Sequence, residues 1–143
     1  MPSATCPDCG ATGHLGLSAA VEVTLGTVAA VLERRPVVVC PEQHGRSPAG
    51  LASLVADRLT TSLPHARARR LRGDACDSCG VRLSMPVRRT TRTVSIDGEG
   101  LPVLTIHVDV AMTRCPECGL DQVPSRSQPD VAGLAAILTA PPA

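Results

Sequence analysis

Four short cysteine hooks punctuate this 143-residue chain: CPDCG at 6–10, CPEQHG at 40–45, CDSCG at 76–80 and CPECG at 115–119. Three share one pattern, and the fourth carries His44 where a second thiol would stand. The hooks pair along the chain, with 30 residues between Cys9 and Cys40 and 35 between Cys79 and Cys115. A similar apolar stretch follows each pair, GLASLV at 50–55 and GLAAIL at 133–138. The order of hook, spacer, hook and apolar segment thus occurs twice, which reads as an internal duplication.

Hooks of this kind matter because the chain has little else to hold it together. It contains no Phe, Trp or Tyr, the residues that bury the largest areas in a core, and its 14 basic residues are all Arg. Halves of about 70 residues sit in the size range where an apolar core alone is marginal and a staple is needed. Seven cysteines would leave one thiol over if the staples were disulfides. The opening MPSATCPDCG has neither the basic nor the apolar region of a secretory signal, and apolar runs such as GTVAAVL and PVVVC are too short to span a bilayer. The expectation is a cytoplasmic chain without membrane contact, whose thiols stay reduced and bind metal.

The hook chemistry suits that reading. Two thiolates on one tight turn supply half a tetrahedral shell, and the glycine after each hook (Gly10, Gly45, Gly80, Gly119) offers the positive φ that such turns need. Two hooks at the ends of a hairpin complete the shell, and structural Zn²⁺ takes four cysteines, or three with one histidine. The expected ligands are Cys6, Cys9, Cys40 and His44 for one ion, and Cys76, Cys79, Cys115 and Cys118 for a second. His14 competes with His44 for the fourth position of the first set. An iron site of the rubredoxin kind has similar hooks, but His44 and the missing aromatic core speak against it. His65 and His107 read as ordinary solvated side chains.

The spacers read as β-hairpins. LTIHVDV places Leu104, Ile106, Val108 and Val110 on one face, the period of a half-buried strand; TTRTVSI before it is β-branched, and DGEG at 97–100 is a turn. In the first half, AVEVTL and VAAVLERRPVVVC flank a break at Gly26. Each half closes with a helix. One has Ser47-Pro48 as its cap and Leu51, Leu54, Val55, Arg58 and Leu59 at helical spacing. The other has Ser127 and Asp130 at capping-box spacing and Val131, Leu134, Ile137 and Leu138 as its stripe. The expected fold is a small metal-stapled α+β protein of two tandem zinc ribbons, each a β-hairpin plus C-terminal helix. They occupy residues 1–64 and 74–143, joined by an Arg-rich linker at 65–73.

The second half, with CDSCG, a hairpin, IHVDVAMTRCPECG and a closing helix, resembles the YgiT-type zinc finger, the zinc-ribbon module of MqsA-like antitoxins. The resemblance covers about 65 residues from Cys76 onward. In those antitoxins the module meets a protein, the toxin, while a separate helix-turn-helix domain binds DNA. Here a further hook pair stands upstream of the module.

Function is narrowed mainly by exclusion. The sequence holds no phosphate-binding Gly loop, no paired-carboxylate motif and no H-E-x-x-H, so a non-enzymatic role is expected. Eight arginines fall between residues 65 and 92 against two aspartates. Arg67, Arg69, Arg70, Arg72, Arg88, Arg89 and Arg92 are therefore candidate contacts to a nucleic-acid backbone. Without aromatic side chains, however, there is nothing for bases to stack on. The favoured reading is a zinc-binding adaptor or regulator with a protein partner, or a second copy of itself; the alternative is a nucleic-acid-binding ribbon protein.

Overall fold

A computed structural model describes residues 3–6, 9–42, 45–69, 73–84, 87–98 and 100–140. The expected hairpin of the second half is its longest feature. β10 (Arg88–Ile96) pairs antiparallel with β11 (Leu104–Arg114), with Val94 opposite Ile106 and Ile96 opposite Leu104. Alternation along β11 buries Leu104, Ile106, Val108, Val110 and Met112 on one face.

The first half supplies the rest of this sheet. β3 (Val21–Leu25) and β4 (Val28–Leu32) form a hairpin whose β4 pairs antiparallel with β11, Leu32 opposite Ile106 and Val28 opposite Val110. The strand order is β10-β11-β4-β3. α1 (Leu51–Ser62) and α2 (Gln128–Leu138) cover its apolar face and pack on each other. Leu51, Val55 and Leu59 of α1, Val131, Leu134 and Leu138 of α2, and Val28, Ala30 and Leu32 of β4 join the β11 residues in one core. The two halves share this core. The physical reason lies in composition. A fully buried Val, Leu or Ile contributes only about 1.5–3 kcal/mol, and two small aliphatic cores bury less in total than one pooled core.

The first three hooks lie on two smaller sheets. β1 (Ser3–Thr5), β2 (Thr12–Leu17), β5 (Pro36–Val39) and β6 (Gly45–Arg46) carry the first hooks, in the order β1-β2-β5-β6. β7 (Arg67–Ala68), β8 (Asp74–Ala75) and β9 (Arg82–Leu83) carry the third, and β12 (Asp121–Gln122) folds back on the end of β11 after the fourth. β11 runs unbroken into its hook, whereas β4 and β5 are separated at residues 33–35 and enter different sheets. Pro36, which lacks a ladder N–H and restricts the residue before it, stands at that break.

Several local expectations are revised. Ser47-Pro48 does not cap α1: the helix starts at Leu51 after Gly50 (φ 78°), and the Ser47 hydroxyl instead donates to the Thr139 carbonyl near the end of α2. Ser127 precedes α2 without a side-chain cap bond, and Asp130 is engaged by the β3–β4 turn. Ile137 faces outward, and Ala135 takes its place in the buried stripe. The segment read as a linker contributes structure: Ala66 is buried, Arg67–Ala68 pairs with β8, and His65 bridges to Val123. His65 is half-buried with its Nε2 enclosed, and burial lowers its pKa. His107 donates from Nε2 to Glu33 Oε1 at 2.8 Å and bonds the Thr93 hydroxyl through Nδ1 at 3.1 Å, which links the two halves across the open face of the sheet.

Candidate metal centres

Each C-x-x-C-G hook is a tight turn of one construction. Cys6 N–H donates to Ala11 O and Gly10 N–H to Cys6 O; Cys76 and Gly80 repeat this with Val81 and Cys76, and Cys115 and Gly119 with Leu120 and Cys115, all at 2.8–3.0 Å. Gly10, Gly80 and Gly119 close the turns at φ 72°, 77° and 74°, a region that residues with a Cβ rarely adopt. In every hook the first cysteine is buried and the second exposed.

The folding of β11 against β10 and β12 brings the last two hooks together. Cys76, Cys79, Cys115 and Cys118 place their sulfurs within 4.8 Å of one another, with Cys79–Cys115 at 3.4 Å and Cys76–Cys118 at 3.6 Å. Four sulfurs bound to one zinc at about 2.3 Å stand about 3.8 Å apart. The sulfurs lie at separations compatible with such a shell, and the group could hold a metal ion. In the first half Cys6, Cys9 and Cys40 form a similar group, Cys9 and Cys40 lying 3.7 Å apart. Gly13 permits this, because a Cβ there would lie 2.5 Å from the Val39 carbonyl oxygen, so β2 and β5 approach closely only without one. Of the two histidines considered as fourth ligand, His14 is exposed on β2 and outside the group, and His44 lies outside the described residues.

Protons in the four-cysteine group are unevenly held. The N–H of Cys79, joined by that of Ser78, draws the Cys76 thiol down to about 6 against the opposing effect of burial. The N–H of Cys118 lowers Cys115 in the same way. Cys79 is pushed up to about 12: the Val81 N–H favours its thiolate, but bonding to Cys115, burial and the other thiols outweigh it. Cys118 is raised too, since burial and bonding to Cys76 and Cys115 outweigh the Leu120 N–H. Four crowded thiols cannot all ionise alone without mutual repulsion, which a divalent cation would relieve.

One residue of this centre carries no signal in the sequence. Gln122, fully buried on β12, reaches back to the third hook: its Oε1 accepts from Asp77 N–H at 2.7 Å and its Nε2 donates to Cys76 Sγ at 3.2 Å. A lone Gln after a hook is unremarkable until β12 has folded back on β11.

Of the five arginines expected to meet nucleic acid that lie among the described residues, three are engaged in ion pairs. Arg67 pairs with Asp77 at 2.9 Å, Arg89 with Asp109 at 3.2 Å, and Arg92 with Asp121 at 3.0 Å. Asp121 also binds Arg114 at 3.1 Å, which with nearby Arg92 and Arg88 holds its carboxyl below the usual range. Arg69 and Arg88 are exposed; Arg70 and Arg72 lie outside the described residues.

A cleft of about 620 Å³ opens between β2 and the β10–β11 turn, lined by Leu15, Gly16, Leu17, Leu101 and Pro102 with Arg34 at its edge. Leu17 and the neighbouring Val103 are 45% and 62% exposed. Among the described residues, no helix is long and apolar enough to cross a membrane. No family model matches this chain, and neither a curated protein nor a solved structure matches it.

Proposed function

We propose that this chain is a non-enzymatic zinc protein, in which two Zn²⁺ staple one small α+β body that acts as a protein-interaction adaptor. The observation that carries the zinc reading is the close group of four cysteine sulfurs, all within 4.8 Å of one another. Such a donor set fills the shell of a zinc ion and leaves no position for substrate, the mark of a structural site.

The adaptor reading rests on the surface. The cleft beside Leu17 and Val103 is apolar, and Arg34, exposed and without an ion-pair partner among the described residues, supplies one cation at its edge. That combination suits an extended segment of a protein partner bearing an apolar side chain next to a carboxylate. The pairing of Arg67, Arg89 and Arg92 with aspartates favours this over phosphate binding, because each such carboxylate competes with a nucleic-acid backbone. The YgiT-like resemblance of the second half agrees with a ribbon that meets protein.

Elemental analysis of protein purified without added metal should give two zincs per chain. A partner captured from the host should crosslink to the cleft and be lost on Leu17→Asp and Arg34→Glu. The adaptor reading fails if the wild type instead forms a sub-micromolar RNA or DNA complex whose log–log salt slope falls by about 0.7–0.9 for each arginine removed from 67, 69, 88, 89 or 92.

A further inference from the structure

Gln122 is fully buried, and its neighbours dictate the orientation of its amide. The Asp77 backbone N–H, 2.7 Å away, can only donate, so it faces Oε1. The Leu120 carbonyl, 3.3 Å away, can only accept, so it faces Nε2. Nε2 is left pointing its second hydrogen at Cys76 Sγ, 3.2 Å away. The side chain thus fastens the Cys76 sulfur and the Asp77 backbone together. The same amide spans the two hooks of the centre: its backbone belongs to β12, which follows Cys118, and its contacts are to Cys76 and Asp77, 46 and 45 residues earlier.

We infer that Gln122 is a positioning residue for the four-cysteine centre, holding the two hooks in register and the Cys76 sulfur in place, so that bound metal is retained. The inference rests on the zinc reading and deepens it. Groups that fasten metal ligands from behind typically contribute 10- to 100-fold in metal affinity. Two substitutions separate the roles of the amide. Gln122→Glu keeps an oxygen for Asp77 N–H and removes the donor to sulfur. Gln122→Met fills comparable volume and removes both polar contacts.

The test uses the full chain loaded with Zn²⁺, challenged with a chelator, and followed by alkylation and peptide mass spectrometry, which resolves the two centres. Cys6, Cys9 and Cys40 serve as the internal reference. The expected result is release from Cys76, Cys79, Cys115 and Cys118 roughly 10- to 100-fold more readily in both variants, with the first centre unchanged. With Co²⁺ the thiolate-to-metal charge-transfer band should shift in both, a change that loss of packing alone would not produce. If Gln122→Glu does not fold, Gln122→Met decides the matter. Variants that bind two metals and release them as the wild type does overturn this inference alone; a wild type that takes up no metal overturns the zinc reading with it.

Discussion

Asp130, in the first turn of α2, accepts the backbone N–H of Thr27 through Oδ2 at 3.1 Å and the Thr27 hydroxyl at the same distance, across 103 residues of sequence. The turn that presents Thr27 passes so close that a Cβ on Gly26 would lie 2.4 Å from that carboxylate oxygen. Gly26 also has φ 57°. The first half of the chain is thereby fastened to the closing helix of the second.

Gly26→Ala should cost about 1–3 kcal/mol through backbone strain alone, with a further steric penalty against Asp130. Asp130→Ala should cost about 1 kcal/mol per hydrogen bond lost. The double variant should be less destabilised than the sum, since removing the carboxylate removes the clash. Urea midpoints of the four proteins check this, and strict additivity would contradict it.

The shared core implies shared unfolding. Ile106 is fully buried on β11 between Val94 and Leu32, strands contributed by both halves. Ile106→Ala should destabilise by about 2–5 kcal/mol and shift one cooperative transition. Amide signals from β3–β4 and from β10–β11 should disappear together. Two separate transitions in the wild type would mean that the halves fold independently.

Metal uptake should depend on pH. Cys79, pushed up to about 12, and Cys118, also raised, hold protons at neutral pH without metal. Each must lose its proton to become a ligand, so affinity falls as pH is lowered. One to two protons released per ion correspond to roughly 10- to 100-fold in apparent affinity per pH unit. Competition titrations with Zn²⁺ between pH 6 and 8 measure the slope, and a flat profile would refute the proton assignment.

Asp121 should mark the acid limit of the second centre. Bonding to Arg114, with Arg92 and Arg88 nearby, lowers its folded pKa below the ordinary 3.8. In the window between the two values the unfolded chain binds the extra proton. The stabilisation is therefore complete above the unfolded value and is lost as pH falls through the folded one. Asp121→Asn should lower stability at neutral pH and flatten its acid dependence; unchanged acid unfolding curves would show that these ion pairs contribute nothing.

Much of the candidate site was legible because its signals are local. Thiols separated by two residues and followed by glycine determine a turn, and Gly10, Gly80 and Gly119 adopt the φ that this turn requires. Period-2 alternation from Leu104 to Val110 determines which face of β11 is buried. Those properties follow from a few consecutive residues and survive any arrangement of the rest.

Tertiary structure decided what those residues could not encode alone. A strand edge carries no label for its partner, so nothing near Val28–Leu32 indicates that β4 pairs with β11 and merges two halves into one core. Ser127 and Asp130 have the spacing of a cap, yet Thr27 lies close enough to take both side chains. Gln122 gains its contact to Cys76 only when β12 folds back and brings the third and fourth hooks within reach. Local chemistry set the ligands and the strand faces; the free energy of pooling a scarce, aliphatic core set which faces met.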